Sequence, residues 1–281
     1  MKTARETTQE NTRETTAKYY LIAFSVLFAV VFVLSFAIGK YPISPGELLR
    51  VLFGKLTGTT QDWSNQVELV IFKIRMPRVL AGAMIGAGLS AAGAAYQGLF
   101  RNPLVSPDVL GASAGAGFGA ALSLIMGLGY GAVTANAFIF SIAAVGIAYL
   151  VSIRTKKNPT LGMVLAGIMV TQLFTSATSF IKMIADPSND LPKIIFWLFG
   201  RLNSIQQDEL AFAAIPVSAG LLVLFLMRWK MNLLTMGEDE ARSMGVNTRT
   251  VRIVIVATAT LITAACVAIS GIIGWVGLVI P

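Results

Sequence analysis

Val79-Leu80-Ala81-Gly82-Ala83-Met84-Ile85-Gly86-Ala87-Gly88-Leu89-Ser90-Ala91-Ala92-Gly93-Ala94-Ala95-Tyr96-Gln97-Gly98-Leu99-Phe100 decides the fold. The stretch carries no charge, and as a helix it reaches about 33 Å, enough to cross the hydrocarbon core of a bilayer. Gly82, Gly86, Ser90, Ala94 and Gly98 recur every four residues, with Ala83, Ala87, Ala91 and Ala95 beside them. Such rows of small residues let helix backbones approach closely in lipid. From here to Arg154 the only charged residues are Arg101 and Asp108. A water-soluble globule could not leave runs that long uncharged. The whole chain agrees: 281 residues, 55% hydrophobic and 13% charged, with mean hydropathy +0.73, against about 25% charged in soluble domains. Alternating ten-residue strands are absent, which excludes a membrane β-barrel. The fold class is an all-α polytopic membrane protein, a multi-span helical bundle.

Apolar length predicts seven complete spans, at residues 19–38, 79–100, 109–128, 133–153, 160–185, 210–227 and 253–269. Residues 1–18, rich in Thr, Glu, Arg and Lys, read as a disordered cytoplasmic tail, and residues 19–281 as the transmembrane domain. Ser35-Phe36-Ala37 would pass as a cleavage site, but the apolar run before it is longer than a signal segment, so the first helix is retained. Residues 39–78 form an outer segment. Within it, residues 43–53 read as an amphipathic surface helix with Ser44 as cap and Pro45 at the first position. Residues 271–281 begin an apolar element that the sequence does not finish. With the N-terminus inside, thirteen of the 22 Lys and Arg fall on the inner side, as the positive-inside rule asks. The outer segment is the exception, with Lys40, Arg50, Lys55, Lys73, Arg75 and Arg78.

The chain has no His, one Cys and a net charge of +8. That removes His-ligated or Cys-pair metal sites, Ser–His–Asp triads and internal disulfides. Cys266 lies in an apolar span and reads as a small core residue. All 14 Asp and Glu fall outside the predicted spans. An ionisable residue at mid-membrane, common in ion-driven carriers, is therefore missing. The phosphate-cradling G-x-x-x-x-G-K-[ST] loop is missing too. If this protein moves a solute uphill, the energy source sits on another chain, and no catalytic residue or cofactor is expected here.

The cytoplasmic stretch Met231-Asn232-Leu233-Leu234-Thr235-Met236-Gly237-Glu238-Asp239-Glu240-Ala241-Arg242-Ser243-Met244-Gly245-Val246-Asn247 is the most informative loop. Leu233, Leu234, Met236, Ala241 and Met244 are apolar within a polar loop. Gly237 and Gly245 punctuate the stretch into two short helices. An exposed apolar ridge with three acids and a base reads as a docking surface for a protein partner. An amphipathic loop lying on the membrane is the competing reading, which acids facing anionic lipid disfavour.

These pieces together resemble the FecCD-type permeases, the membrane subunits of type II ABC importers for iron–siderophores, haem and cobalamin. The resemblance covers nearly all of the chain after the tail. It is carried by Arg75-Met76-Pro77-Arg78, by residues 94–104 (AAYQGLFRNPL), 105–117 (VSPDVLGASAGAG) and 237–245 (GEDEARSMG), and by 271–281 (GIIGWVGLVIP). It implies that residues 231–250 hold coupling helices seated in a cleft on the ATPase, placing Met236, Gly237, Glu238, Ala241, Arg242, Met244 and Gly245 at that contact. It implies that Arg75 and Arg78 pair with glutamates of an extracytoplasmic substrate-binding protein, which would account for the outer basic exception. Snorkelling at a helix end is the alternative for these arginines. It implies an inner gate built from Asn102, Leu104, Thr160 and Leu161, and a pore-lining fifth span bearing Gln172, Thr175, Ser176 and Ser179.

The expected function is the permease subunit of an iron–siderophore importer in the bacterial inner membrane, working by ATP-driven alternating access. The expected partners are a second permease subunit, identical or paired, two ATPase subunits holding ATP and Mg, a binding protein, and membrane lipid, with no nucleic acid. Haem or cobalamin is the alternative cargo. Family members continue past the equivalent of Pro281 with about three more spans, ten in all, so the sequence reads as C-terminally truncated. A seven-span form would instead suggest a non-energised scaffold or channel.

Overall fold

The computed structural model describes residues 4–58, 63–154 and 159–281, and these pack as two compact units that divide at Val79. Helices in the first unit are α1 (Ala4–Ala37), α2 (Pro45–Thr57), α3 (Asn65–Leu69) and the start of α4 (Met76–Phe100). α2 forms where the sequence places it. The Ser44 hydroxyl accepts from the Glu47 amide at 3.2 Å, Pro45 opens the helix and Gly58 closes it in a left-handed conformation. Leu48 and Val51 on its inner face pack with Phe36, Ile43, Val67 and Ile71. α3 runs through a π-helical turn, Val70–Arg75, into α4. That turn sets Ile71 and Arg75 inward and Lys73 outward. α1 is longer than expected: helical backbone reaches back to Ala4, where the polar composition predicts a tail without regular structure. Ala, Arg, Glu and Gln are good helix formers, and here they extend a helix already nucleated by the apolar run.

The second unit, Leu80–Pro281, contains the rest of α4, α5 (Ala112–Ile125), α6 (Tyr130–Ser152), α7 (Pro159–Ile184), α8 (Asp190–Leu198), α9 (Gln207–Met236), α10 (Glu238–Ser243), α11 (Thr248–Ser270) and α12 (Val276–Val279). α11 stands at its centre, and Ile262 through Ser270 are buried without a break. Ala81, Ile85, Leu89, Ala92 and Tyr96 of α4 share one core with Val256, Ile262 and Cys266 of α11 and with Val217 and Leu224 of α9. The Tyr96 hydroxyl meets that of Thr260 at 2.9 Å. Cys266 is a small core residue, as expected.

Among the described residues six helices are long and apolar enough to cross a membrane, rather than seven. The expected third span, 109–128, is shortened. A 3-10 turn, Pro107–Leu110, and left-handed Gly111 precede α5, and left-handed Gly127 follows it. α5 is thus about 21 Å long. Between the fifth and sixth expected spans lies a further helix, α8, whose Ile194 and Trp197 are buried. The coupling stretch contains one short helix, α10, rather than two, because its first half continues α9 to Met236.

The small-residue rows divide in the same way. Gly115 and Gly119 of α5 lie against α6 so closely that an added Cβ would sit 2.3 Å from the Phe140 carbonyl oxygen and 2.4 Å from that of Asn136. The Asn136 amide donates to the Ser123 hydroxyl at 2.7 Å across the same interface. In α4, by contrast, a Cβ on Gly86 would meet nothing within 4 Å. The close approach there is at Gly93, whose added Cβ would lie 1.9 Å from the Gly277 carbonyl oxygen. Gln97 donates to the Leu278 carbonyl at 3.0 Å, so residues 271–281 fold back along α4.

Candidate functional site

The outer arginines separate. Arg75 is buried, 7% exposed, and its guanidinium donates to the carbonyls of Phe36, Ala37 and Tyr41. It therefore satisfies the last carbonyls of α1, groups a helix leaves without partners, and favours the negative end of its dipole. A side chain so held cannot also reach a binding protein, so Arg75 leaves the docking set. Arg78, three residues on, is exposed. The outer charge exception is thus structural at one arginine and open to solvent at the other.

At the opposite end of α4, Arg101 adopts φ +48° and starts the turn into Pro107–Leu110. The Asn102 side-chain oxygen accepts from the Leu104 amide at 2.9 Å, closing an Asx turn. That turn presents Leu104, 75% exposed, while Val105 is buried behind it. At the start of α7, Leu161 is exposed and Met163 buried. Val105 and Met163 belong to one core together with Leu233, Leu234, Ala241 and Val246. The two expected gate segments and the coupling segment thus each contribute residues to one core, while Leu104 and Leu161 are exposed. Thr160 lies at the first turn of α7, and its side chain is outside the described residues.

Composition misread the coupling ridge. Leu233, Leu234 and Ala241 are core residues, and the exposed apolar groups are Met236 and Met244. Arg242 is exposed, 3.8 Å from Asp239, and its Nε donates to the Thr248 hydroxyl at 3.3 Å. Gly237 joins α9 to α10, and left-handed Gly245 turns the chain towards α11. The side chain of Glu238 is outside the described residues. Arg101, which the sequence reading counted only as an inner charge, donates from Nε to the Leu234 carbonyl at 3.1 Å. It ties the gate turn directly to the end of α9. Its place beside Asn102 in the AAYQGLFRNPL stretch was the available signal.

Asp108 was also missed. It sits in the Pro107–Leu110 turn and accepts from the Ser113 hydroxyl. Burial pushes its carboxyl above the ordinary aspartate range, partly opposed by that hydrogen bond. An acid whose pKa is raised on folding stabilises the fold fully below its unfolded pKa and loses that contribution as pH rises through the folded value. In thermal melts the parent should therefore lose stability relative to Asp108→Asn as pH rises from the ordinary aspartate range upward. Parallel pH profiles for the two would remove Asp108 as the source.

Gln172, Thr175, Ser176 and Ser179 all lie on the exposed side of α7, at the spacing that defines one helix face. The hydroxyl of Thr178, on the buried side, instead donates to the Phe174 carbonyl at 2.8 Å. A neutral, weakly polar stripe thus runs along an otherwise apolar spanning helix.

Six helices long and apolar enough to cross a membrane, among the described residues, make this a polytopic membrane protein. The sequence model of the FecCD transport family matches residues 27–281, and the chain belongs to that family. It is an integral membrane permease of the ABC importer kind. It is 34% identical over 247 residues to the molybdate import system permease protein MolB of Haemophilus influenzae, covering 88% of this chain and 73% of that one. It is 34% identical over 220 residues to a probable iron chelatin transport system permease protein of Helicobacter pylori, covering 77% and 65%. It is 35% identical to the vitamin B12 import system permease protein BtuC of Escherichia coli, covering 83% and 72%. A solved inward-facing ABC transporter described as of metal-chelate type superposes with TM-score 0.81 at 30% identity, covering 93% of this chain and 79% of that one.

Proposed function

We propose that this chain forms the translocation pathway of an ATP-driven importer for a metal chelate, with an iron–siderophore-type complex as the cargo. The observation that carries the reading is the core shared by the gate turn, the start of α7 and the coupling segment, reinforced by the Arg101–Leu234 hydrogen bond. In this reading a push on α10 from a partner passes to α9 and α11, against which α10 packs, and through the shared core to the inner mouth, which is what alternating access needs. In this reading two ATPase subunits carry ATP and Mg, and Met236, Gly237, Glu238, Arg242, Met244 and Gly245 contact them. Buried Ala241 anchors α10 rather than touching the partner. A second permease subunit completes the pathway, and an extracytoplasmic binding protein docks at Arg78. The membrane is the bacterial inner membrane, with the N-terminus in the cytoplasm.

The neutral stripe Gln172, Thr175, Ser176, Ser179 suits a bulky chelate that must pass without being held by fixed charge. A molybdate-type oxyanion is the second reading, favoured by the similarity to MolB. Uptake into proteoliposomes holding the assembled transporter, with labelled ferric chelate or labelled molybdate on its receptor, distinguishes the two. Ser176→Trp should cut uptake about tenfold or more, equivalent to ~1.4 kcal/mol of barrier, while receptor-stimulated ATP hydrolysis persists. Undiminished uptake would take α7 out of the pathway.

A further inference from the structure

α6 and α11 leave between them an open apolar groove of about 460 Å³, within the range of small-molecule sites. Ile142, Val145 and Tyr149 line one wall, and Ile253, Ala257 and Leu261 the other. On α11 the groove ends where burial begins: Ile253 and Ala257 are exposed, Leu261 is half-buried, and everything from Ile262 to Ser270 is covered by the protein. From Ile253 to Leu261 is about 12 Å along the helix, against ~15 Å for half of a hydrocarbon core. The groove is therefore about as long as one leaflet of the hydrocarbon core is thick. It is too short to seat a spanning helix and matches the length of a single acyl chain.

Basic residues adjoin the groove-lining turns in the sequence. Arg252 precedes Ile253, Arg249 lies one turn earlier, and exposed Arg154 follows the last turn of α6, which carries Tyr149. Neither α6 nor α11 contains an acid. The acids of neighbouring α10 are Glu238, Asp239 and Glu240, of which Asp239 lies 3.8 Å from Arg242. An apolar slot of that length, with basic residues adjoining its lining turns, is complementary to an anionic lipid.

We propose that this groove binds an anionic glycerophospholipid, one acyl chain between α6 and α11 and the phosphate at Arg249, Arg252 and Arg154. The site does not depend on the cargo or on the ATPase; the orientation proposed above decides only that the lipid comes from the cytoplasmic leaflet. Native mass spectrometry of the full chain in neutral detergent, titrated with dioleoylphosphatidylglycerol or dioleoylphosphatidylcholine, tests it. The parent should retain the glycerol lipid preferentially. Arg249→Gln and Arg252→Gln should each lower that retention about fivefold and leave the choline lipid unchanged. Ala257→Phe should abolish both adducts by filling the groove. Gly146→Leu is a second filling variant, since a Cβ there meets nothing within 4 Å. Equal retention of the two lipids by the parent, or adducts that survive both filling variants, would overturn the site. Neither result bears on transport, so this inference and the importer reading fail separately.

Discussion

Gly237→Pro is expected to leave the chain inserted in the membrane and to abolish substrate-stimulated ATP hydrolysis by the assembled transporter. Gly237 is the joint between α9 and α10, with φ +159° and ψ 154°. Its carbonyl accepts from the Ala241 amide at 3.1 Å, the first bond of α10. Proline holds φ near −65°, so the two helices could not keep their present angle. The spans on either side bury their own cores and should still form. The expected loss is in transmission: ATP hydrolysis stimulated by receptor and cargo falls to the basal rate, about tenfold or more, equivalent to ~1.4 kcal/mol or more of barrier. Insertion is checked by detergent extraction and a monodisperse elution profile. Stimulation equal to the parent's in a well-inserted variant would remove α10 as the coupling element.

The second large effect separates Arg75 from Arg78. Arg75→Ala should cost about 3 kcal/mol, because it removes charge-assisted hydrogen bonds and leaves buried carbonyls at the end of α1 without donors. The result to measure is a lower melting temperature in detergent. Arg78→Glu should leave the melt unchanged, because that side chain is exposed. It should weaken binding-protein docking about tenfold at low salt, with the difference shrinking as salt screens it. Equal melts for the parent and Arg75→Ala would refute the capping role. Equal docking by the parent and Arg78→Glu would refute the receptor role.

These two arginines show where sequence reading stops. Arg75-Met76-Pro77-Arg78 marks both residues as basic and near a helix end, and nothing local distinguishes them. The π-helical turn Val70–Arg75 does: it points Arg75 at carbonyls nearly forty positions earlier in the chain. The coupling loop teaches the same lesson. Leu233, Leu234 and Ala241 were legible as apolar residues in a polar loop, which is compatible with a docking ridge or with a core. Their burial depends on the core that α4, α9 and α11 build together, which no local stretch records. The polar residues of α7 were legible as a group, and the structure places Gln172, Thr175, Ser176 and Ser179 on its exposed side while Thr178 is buried.

By itself the sequence determined that the protein is helical and crosses a membrane, because a bilayer core offers no hydrogen bonds and only long uncharged helices satisfy their own backbone there. It also determined the family, through ordered motifs, and the capped helix at Ser44, because capping is a contact between residues three apart. Only the tertiary structure decided which glycines are close-packed, why α5 is short, that Arg75 is a cap rather than a docking residue, and that Arg101 joins the gate turn to α9. Each of those depends on the group across the interface, and a helix carries no local record of what will face it.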